Sequence, residues 1–331
     1  MAPPYLRKNS LVIFKAQADP AVAITLDKVT DAKLLSYDVT YEHTAGFYSR
    51  NVAALTFSEP TQRLNSALAT ITFKTDAYAS GTATIAPYWA GLFSGCGLTQ
   101  SIGANYVVWY PTTFPTFTGS ATDGSSIFTM AVFEDGVRKV MRSAVGNVRI
   151  SGTTGGVVVC DWTFNGAHYD HFTDSYPNLT VDATRNMGIL MELGTFTVGG
   201  YANFVVRGFT FDLGNIIAQR THINNTSIDG QGEFCIVDSA PTLSVDVEQA
   251  SPSSFNALGY LQSNTLFDIS LVIGQTLGKR LSFYSNYGGT AKAQIISITE
   301  SEQDNIIMNT LTFKFVQVLK EAQHSFYIQQ N

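Results

Sequence analysis

Apolar and polar residues alternate along several short stretches of the chain. The clearest are residues 37–41, 70–74, 209–213 and 311–315. Because successive side chains of a strand point to opposite faces, this alternation predicts strands with one buried face and one polar face. Such strands are typical of antiparallel sheets, so we expect a mainly β protein built as a sandwich or barrel.

The stretch 128–166 carries the strongest turn signals. Asp-Gly and Gly-Gly between alternating runs favour tight hairpins, because glycine accepts positive φ without a steric penalty. We expect a turn, a strand that runs to a corner, a second turn, and a last strand that ends on a glycine. The positions are Asp135 and Gly136 for the first turn, Ala144, Gly146 and Asn147 for the corner, Gly155 and Gly156 for the second turn, and Gly166 for the end.

Two stretches have helical character, residues 86–98 and 251–263. Ser251 is a candidate N-cap of the second helix. Pro252 suits its first helical position, because the N–H that proline lacks is not needed there. Isolated helices of this length are marginal in water, so we expect both to pack on a sheet.

The order strand, hairpin, strand, short helix and hairpin run occurs twice along the chain. The matching pairs are residues 37–41 and 209–213, 69–78 and 242–249, 86–98 and 251–263, and 128–164 and 267–315. A repeat with this spacing predicts two copies of one domain. We place them at residues 1–180 and 181–331, with the junction in 173–186, where polar and turn residues cluster. The alternative is chance correspondence, which a β-rich chain of this size also produces.

Composition narrows the classes of function. The 331 residues are 45% apolar, enough for a sizeable core, and only 14% are charged. The formal net charge of −6 argues against nucleic-acid binding by phosphate neutralisation, because that needs clustered Lys and Arg. Few charges, with abundant Thr, Ser, Asn and Gly, favour a surface committed to neighbouring molecules or to β-structure.

The cysteines indicate the redox environment of the protein. Cys96, Cys160 and Cys235 are widely separated and odd in number, so they predict buried free thiols rather than a disulfide framework or a metal site. The first residues lack the apolar segment of a signal peptide, and no apolar run has the length of a membrane span. We expect a soluble product of a reducing cytoplasm, without a membrane partner.

No motif of catalysis or cofactor binding is recognisable. Residues 274–280 resemble a phosphate-binding loop, but the loop is one residue too short and joins strands rather than a strand to a helix. His168 and His171, with Asp174 beyond, are metal-ligand residue types, but positions three apart on a strand face opposite sides. They could share a metal only in a loop or helix. We therefore predict no enzyme activity, no cofactor and no metal.

Several weak motifs follow one another in a characteristic order. They are Gly95-Cys96-Gly97, Tyr110-Pro111, the Asp135-Gly136 turn, the corner at Ala144, Gly146 and Asn147, the closing Gly166, and then Ala293-Gln294-Ile295 and Asp304-Asn305. In this order they resemble the major tail tube protein of long-tailed, siphovirus-type bacteriophages. Two departures are visible: Val145 stands where that family often has Arg, and no Pro follows Gly156. Asn305 stands where Gly is usual, a tolerable exchange because Asn also enters the left-handed region.

The resemblance implies a structural virion protein. It implies two tandem tail-tube-type β-sandwich or barrel domains, each with one short helix, whose inner sheets join those of neighbours into a closed tube for genome DNA. Three duplicated chains, or six chains if the second half is a decoration, would complete a ring. The implied partners are further copies of the chain, the tape measure protein, the tail terminator and distal tail or baseplate proteins. DNA would pass without specific binding. The implied location is the virion tail, and the host cytoplasm during assembly.

The resemblance and the alternation together give candidate functional residues. Polar positions on alternating strands are candidates for the lumen, where acidic and neutral side chains would not hold phosphate: Asp38, Thr40, Thr210 and Asp212. Residues 1–30, the hairpin 44–66 and the tail 320–331 lack core patterning, and we expect arms and loops that order against adjacent rings. Candidates for contacts between subunits or rings are Arg50, Arg63, Lys320 and Glu321.

Three other functions remain open. The first is a β-sandwich binding or adhesion module of the virion that recognises carbohydrate or host. Trp89, Trp109 and Trp162 could line a sugar site, although large aromatics in a β protein more often fill the core or an interface. The second is a hydrolase on a jelly-roll scaffold, disfavoured because no carboxylate pair or triad stands out. The third is the related tube of a contractile tail or secretion system.

Overall fold

A computed structural model describes most of the chain: residues 10–19, 22–48, 62–112, 126–177, 188–221, 231–274, 276, 278–285, 292–316 and 325–331. These residues form a mainly β fold in which every strand pair is antiparallel. One short helix lies in each half. The predicted fold class is confirmed at this level, and no sheet of the described residues closes into a barrel.

The elements of the first half are β1 Ser10–Gln17, β2 Tyr37–Tyr48, β3 Arg63–Asp76, a 3₁₀ helix Tyr88–Cys96, β4 Leu98–Ile102, β5 Val107–Pro111, β6 Ile127–Glu134, β7 Val137–Thr153 and β8 Val159–Thr173. Those of the second half are β9 Thr195–Val198, β10 Val206–Asp212, β11 Asn215–Thr221, β12 Gln231–Ser239, β13 Thr242–Glu248, α1 Ala257–Gln262, β14 Leu266–Phe267, β15 Ile269–Ile273, β16 Leu281–Tyr284, β17 Lys292–Gln303, β18 Ile306–Val316 and β19 Tyr327–Gln330.

The described residues form one large sheet, here called the main sheet, that runs through both halves. Its strand order is β14-β17-β18-β13-β10-β7-β8-β3-β2, and β6 and β1 extend it from the first part of β7. Two four-strand units lie in this order: β7-β8-β3-β2 from the first half, here called the first unit, and β17-β18-β13-β10 from the second half, the second unit. They meet where β10 pairs with β7. The two units therefore follow one another head to tail in a single hydrogen-bonded sheet.

A second, six-stranded sheet covers one side of the main sheet. Its order is β4-β5-β19-β16-β15-β9, so it also contains strands of both halves. The last strand, β19, lies between β5 and β16. The β11–β12 hairpin forms a separate two-stranded ribbon, and its Phe234 and Ile236 pack on Ile127, Val145 and Ala167 of the first half.

The core lies between the two large sheets and is rich in aromatic side chains. The rings of Trp162 and Phe93 have centroids 5.5 Å apart, and Phe93 lies 5.3 Å from Trp109 of the six-stranded sheet. In the second half Phe211 of the main sheet lies 5.2 Å from Phe283 of the six-stranded sheet. Trp89, Trp109 and Trp162 are all buried. The prediction that these tryptophans fill the core is confirmed, and none of them forms an exposed platform for a sugar.

The two predicted turns are confirmed. Asp135 and Gly136 have φ of 43° and 90° between β6 and β7, which fits a tight hairpin with both central residues at positive φ. Gly155, with φ of 78°, lies in the turn between β7 and β8.

The predicted corner and the predicted strand end are wrong. Ala144, Gly146 and Asn147 lie inside β7, and Gly166 lies inside β8, which continues to Thr173. The chain bends without turning: Ser143 has φ of 52°, and the register with β8 shifts between Arg142 and Val145. Such a bulge twists a strand while its pairing continues.

Close packing explains the two glycines at these places. A Cβ at Gly146 would lie 2.6 Å from the Phe164 ring, and one at Gly166 would lie 2.7 Å from the backbone oxygen of Arg142. Glycine is therefore needed there because a neighbour occupies the space of a side chain, and not because the chain reverses.

The helices are shorter than predicted. The 3₁₀ helix lies inside the predicted range and ends at Gly97, whose φ is 79°. For α1, the predicted cap at Ser251 is wrong: Ser251 accepts from the backbone N–H of Ser254 at 2.8 Å in a turn. The Oδ1 of Asn256 instead accepts from the N–H of Gly259 at 2.9 Å and caps the helix.

Parts of the predicted arms belong to the fold. Residues 10–17 form β1, with Val12 and Ile13 fully buried. Residues 325–331 include β19, and Phe326 and Ile328 are buried between the sheets. The prediction of free arms is therefore wrong for these residues. The hairpin 44–66 continues as paired strands to Tyr48 and Arg63, beyond which its tip lies outside the described residues.

The cysteines are free, and two of them are inaccessible. Cys96 and Cys160 are buried, and burial raises the pKa of both thiols. Cys235 is only half-buried, so the expectation of burial is wrong for this residue.

Neither helix of the described residues has the length and apolar character needed to cross a membrane.

Candidate functional site

The side of the main sheet turned away from the core carries short polar side chains. On each strand these positions alternate with the buried residues, as the sequence predicts. This surface is called the polar face. Its residues are Thr40, Glu42, Thr70, Thr72, Lys74, Asn147, Arg149, Ser151, Asp161, Thr163, Asn165, Thr210, Asp212, Thr242, Ser244, Asp246, Gln294, Thr310, Thr312 and Lys314.

Hydroxyl groups of the polar face bond across neighbouring strands. Thr70 Oγ1 donates to Asn165 Oδ1 at 2.9 Å in the first unit. In the second unit the hydroxyls of Ser244 and Thr312 lie 3.0 Å apart, and Thr310 donates to Asp246 at 2.5 Å. Because these hydroxyl-bearing side chains are short and bonded to their neighbours, they lie close to the sheet.

Charged side chains of the polar face alternate in sign along one row. Strand register aligns Lys314, Thr242 and Asp212 in the second unit. The row continues across the β10–β7 contact between the units, here called the seam, through Arg149, Asp161 and Lys74 of the first unit. Opposite charges on adjacent strands attract and partly neutralise one another. The row therefore presents little net charge to a molecule that passes over it.

Three of the four lumen candidates, Thr40, Thr210 and Asp212, lie on this face, and the fourth, Asp38, lies in a bulge of β2 and contacts the face through Lys74. Asp38 is exposed and accepts from Lys74 Nζ at 2.9 Å, and this bond raises the pKa of Lys74. Thr40 and Thr72 share a hydroxyl hydrogen bond. Thr210 lies opposite Ser151 of the neighbouring unit.

Asp212, the fourth candidate, accepts from Asn147 Nδ2 at 3.2 Å. None of the four lies in the core. The direction that the polar face takes in an assembly stays a prediction.

Sequence reasoning missed the basic residues of this face. Lys74, Arg149 and Lys314 take the same alternating positions as the acidic candidates. Their alternation with polar neighbours is visible in the sequence, but their alignment with Asp161 and Asp212 depends on strand register. No local pattern contains that information.

The outer edges of the two units are the sites at which the sheet could grow. Among the described residues β2 has no partner beyond it. At the other end, β17 pairs with β14 only through Ala293 and Gln294. Within the part of the chain that the structure describes, residues 295–303 of β17 therefore present an open edge. Unpaired backbone N–H and C=O groups of an edge strand are a template for pairing with another chain.

The hairpin of β2 and β3 ends in exposed apolar side chains. Phe47 and Tyr48 are 57% and 58% exposed, and Leu64 is 42% exposed. Arg63 begins β3 opposite Tyr48, and its side chain is not described. The other three contact candidates, Arg50, Lys320 and Glu321, lie outside the described residues.

Two histidines meet on the core side of this hairpin. The rings of His43 and His168 have centroids 4.5 Å apart, and the hydroxyl of Tyr41 lies 2.6 Å from His168 Nδ1. Partial burial, together with nearby His43 and His171, lowers the pKa of His168.

His168 and His171 both lie on β8, a strand rather than the loop or helix that a shared metal would require. Over the described part of the chain, no group of three or more His, Cys, Asp and Glu side chains is placed to hold a metal ion.

Comparison with known proteins leaves the site to be interpreted from its own geometry. No protein family model matches this sequence, and a search of curated proteins finds no significant relative.

Proposed function

We propose that this protein is the building block of a tube, the major tail tube protein of a long-tailed bacteriophage or a related particle. Copies of the chain join through β2 and β17 into a ring, with the polar face lining a channel for DNA. Rings stack head to tail into a filament. The observation that carries this proposal is the repeated strand order of the main sheet, in which the seam between the units is a template for the contact between copies.

The seam shows how two units join. β10 is the outer strand of the second unit and pairs with β7, the outer strand of the first unit. β2 has the place of β10 in the first unit, and β17 has the place of β7 in the second. Joining β2 of one copy to β17 of the next therefore repeats a contact that the chain already makes. A head-to-tail contact of this kind closes into a ring when its rotation divides a full turn.

Closure also removes the exposed edges. Unpaired edge strands favour uncontrolled aggregation, and a closed ring pairs the β2 and β17 edges of the main sheet. With two units per chain, three copies give a ring of six similar units, which is the number that the family resemblance implies. The two halves then act as tandem domains that share their sheets rather than as separate bodies.

The seam predicts the register of the contact between copies. Phe211 lies opposite Leu243 and Tyr41 lies opposite Ile71, so Tyr41 is the equivalent of Phe211. This choice aligns the strand ends Asp76 and Glu248.

The choice of Tyr41 as the equivalent of Phe211 also aligns the hairpin turns that begin at residues 154 and 304. Ser151 lies opposite Thr210 at the seam. The equivalent pair between copies is Ser301 and Thr40.

The chemistry of the polar face suits a conduit. One side of the main sheet is covered by the six-stranded sheet. On the other side the β11–β12 ribbon packs on Val145 and Ala167, and the rest of the polar face is the side available to a channel. Bonded hydroxyls and charges that alternate in sign neither attract nor trap a polyanion, whereas a basic surface would bind phosphate strongly. DNA would then slide past without specific contacts. The tape measure, terminator and baseplate proteins would contact the tube lumen or its ends.

Disulfide trapping tests the proposed ring. The variant Thr40→Cys with Ser301→Cys, in a Cys235→Ser background, should form covalent closed trimers under mild oxidation. The matched control is Thr210→Cys with Ser151→Cys, which places cysteines at the equivalent pair inside one chain and should give cross-linked monomers. Negative-stain images of the first variant should show rings.

Two results would contradict the proposal. One is an efficient control cross-link with no intermolecular cross-link in the test variant. The other is a protein that sediments only as a monomer at every concentration at which the pure chain is soluble.

A further inference from the structure

An open apolar groove lies between α1 and the end of the β17–β18 hairpin. Its volume is about 370 Å³, and it lies on the core side of the main sheet. Its lining includes Phe204, Phe255, Leu258, Leu261, Ile298 and Glu300. Leu258 is 59% exposed although it lines the groove. An apolar groove of this kind is a candidate for a segment of another chain.

In the first unit, the corresponding end of the sheet is covered by a segment of the same polypeptide around Ile189. There the backbone N–H of Val158 donates to the oxygen of Ile189 at 2.8 Å, and Ile189 in turn donates to Ala77 at 2.7 Å. Ile189 is buried by this contact. The second unit has no equivalent segment among the described residues that line the groove. Over the described part of the chain, the groove of the second unit is therefore open at the place where the first unit is covered.

We propose that residues 1–9 of a neighbouring copy fill this groove. The inference rests on the proposed tube, because the contact between β2 and β17 brings the neighbour to this place. In the proposed register, the neighbour's Val39 lies opposite Glu302, at the tip of the β17–β18 hairpin. The start of the neighbour's β2 therefore lies at the end of the sheet where the groove opens.

In the neighbouring copy, β1 lies beside the start of β2, so the β2–β17 contact also brings β1 close to the groove. The backbone N–H of Val12 donates to the Ser36 hydroxyl at 3.3 Å, next to the first residue of β2. Val12 and Val39 also belong to the same core cluster, so β1 lies on the core side, as the groove does. Ser10 is two strand positions from Val12, about 7 Å away. The nine residues that precede Ser10 can extend over as much as ~30 Å.

The sequence of this segment matches the groove in chemistry. Pro3, Pro4, Tyr5 and Leu6 form an apolar run in which the two prolines favour an extended polyproline conformation. Proline-rich segments bind grooves lined with aromatic rings, and Phe204 and Phe255 supply such rings here.

Basic residues follow the apolar run. Arg7 and Lys8 would meet Glu300, which lines the groove, and the exposed Glu302 and Asp304 at the hairpin tip. Opposite charges of this kind orient a bound segment and raise its association rate.

Cross-linking of two differently tagged full-length chains tests the proposal. One chain carries Tyr5→Cys and the other carries Leu258→Cys, both in the Cys235→Ser background. We expect a disulfide-linked species that contains both tags. The matched control replaces Leu258→Cys by Ile102→Cys, because Ile102 is also 59% exposed but lies on β4 of the other sheet. Its yield should be at least several-fold lower. Equal yields, or no product with both tags, would overturn the inference.

Charge reversal gives a second readout. Glu300→Lys alone and Lys8→Glu alone should each lower the yield of the Tyr5–Leu258 cross-link several-fold. Combining the Lys8→Glu change in one chain with Glu300→Lys in the other should restore it, a result that general damage to β17 cannot produce. Absence of rescue counts against the assigned contact.

The two proposals fail in different ways. If the Thr40–Ser301 cross-link forms and the Tyr5–Leu258 cross-link does not, the tube proposal stands and the groove has another occupant. If neither forms while the control within one chain does, the ring itself is wrong.

Discussion

Asp212 on β10 lies directly opposite Arg149 on β7, at the seam where the two units share one sheet. Its carboxylate also accepts from Asn147 Nδ2 at 3.2 Å and from the backbone N–H of Gly214 at 2.9 Å. One side chain thus connects β10, β7 and the turn that follows β10. The seam is therefore held by side-chain contacts in addition to its backbone ladder.

We predict that Asp212→Ala lowers the free energy of unfolding by about 1–3 kcal/mol, because two donors lose their acceptor. Asp212→Asn should lose less, since the amide keeps one acceptor oxygen. Urea denaturation followed by tryptophan fluorescence measures both. Equal losses for the two variants would show that the hydrogen bonds at the seam contribute little.

Trp162 and Thr75 form a polar contact inside the aromatic core. The indole Nε1 donates to Thr75 Oγ1 at 2.9 Å, and both residues are fully buried. Trp162→Phe leaves the hydroxyl without this donor, and Thr75→Val leaves the indole N–H without its acceptor. Each change should be destabilising by more than its loss of packing. The double variant should recover about 0.5–3 kcal/mol relative to the sum of the single changes, measured in a double-mutant cycle.

The strands and the Asp135-Gly136 turn could be predicted because their signals are local. Alternation sets the two faces of a strand, and positive φ at adjacent residues selects an Asp-Gly turn. The polar face follows from the same alternation, so Thr40, Thr210 and Asp212 were found from the sequence alone.

Features set by distant residues could not be predicted. Gly146 and Gly166 look like turn residues, but a ring from β8 and the backbone of β7 are what exclude a side chain at these positions. The strand β19 contains two glutamines and has no strong apolar pattern. It joins the six-stranded sheet because Ile328 pairs with Trp109, far away in the sequence. The charge alternation of the polar face likewise depends on register across strands from both halves.

Gly166 gives a direct test of this difference between packing and turn glycines. A Cβ at Gly166 would lie 2.6 Å from Met141 and 2.7 Å from the backbone of Arg142. We predict that Gly166→Ala lowers the free energy of unfolding by about 3 kcal/mol, because a strand must shift. Gly155→Ala is the control: it meets nothing within 4 Å but keeps a φ of 78°, so the loss should be only about 1–2 kcal/mol. Thermal or urea denaturation compares them, and the opposite ranking would contradict the packing explanation.

His168 lies where protonation is unfavourable. Partial burial and the rings of His43 and His171 lower its pKa from the ordinary value of 6.5, and Asp170 opposes them weakly. Tyr41, whose hydroxyl lies beside His168 Nδ1, also has the Lys139 ammonium 5.5 Å from its ring. Protonation of His168 would therefore place a second positive charge in the region of the Lys139 ammonium.

We predict that the β2–β3 hairpin loses stability as the solution is acidified. The unfolded chain binds a proton at His168 near pH 6.5, whereas the folded chain binds it only at lower pH, so the free energy of unfolding falls as pH drops through this window. Above about pH 7.5 both states are neutral at His168 and its contribution is constant. His168→Gln should flatten the dependence of stability on pH between about 7.5 and 5, while His171→Gln, an exposed neighbour on the same strand, should keep most of it. Urea denaturation at several pH values measures these slopes, and identical slopes for wild type and His168→Gln would exclude His168 as their source.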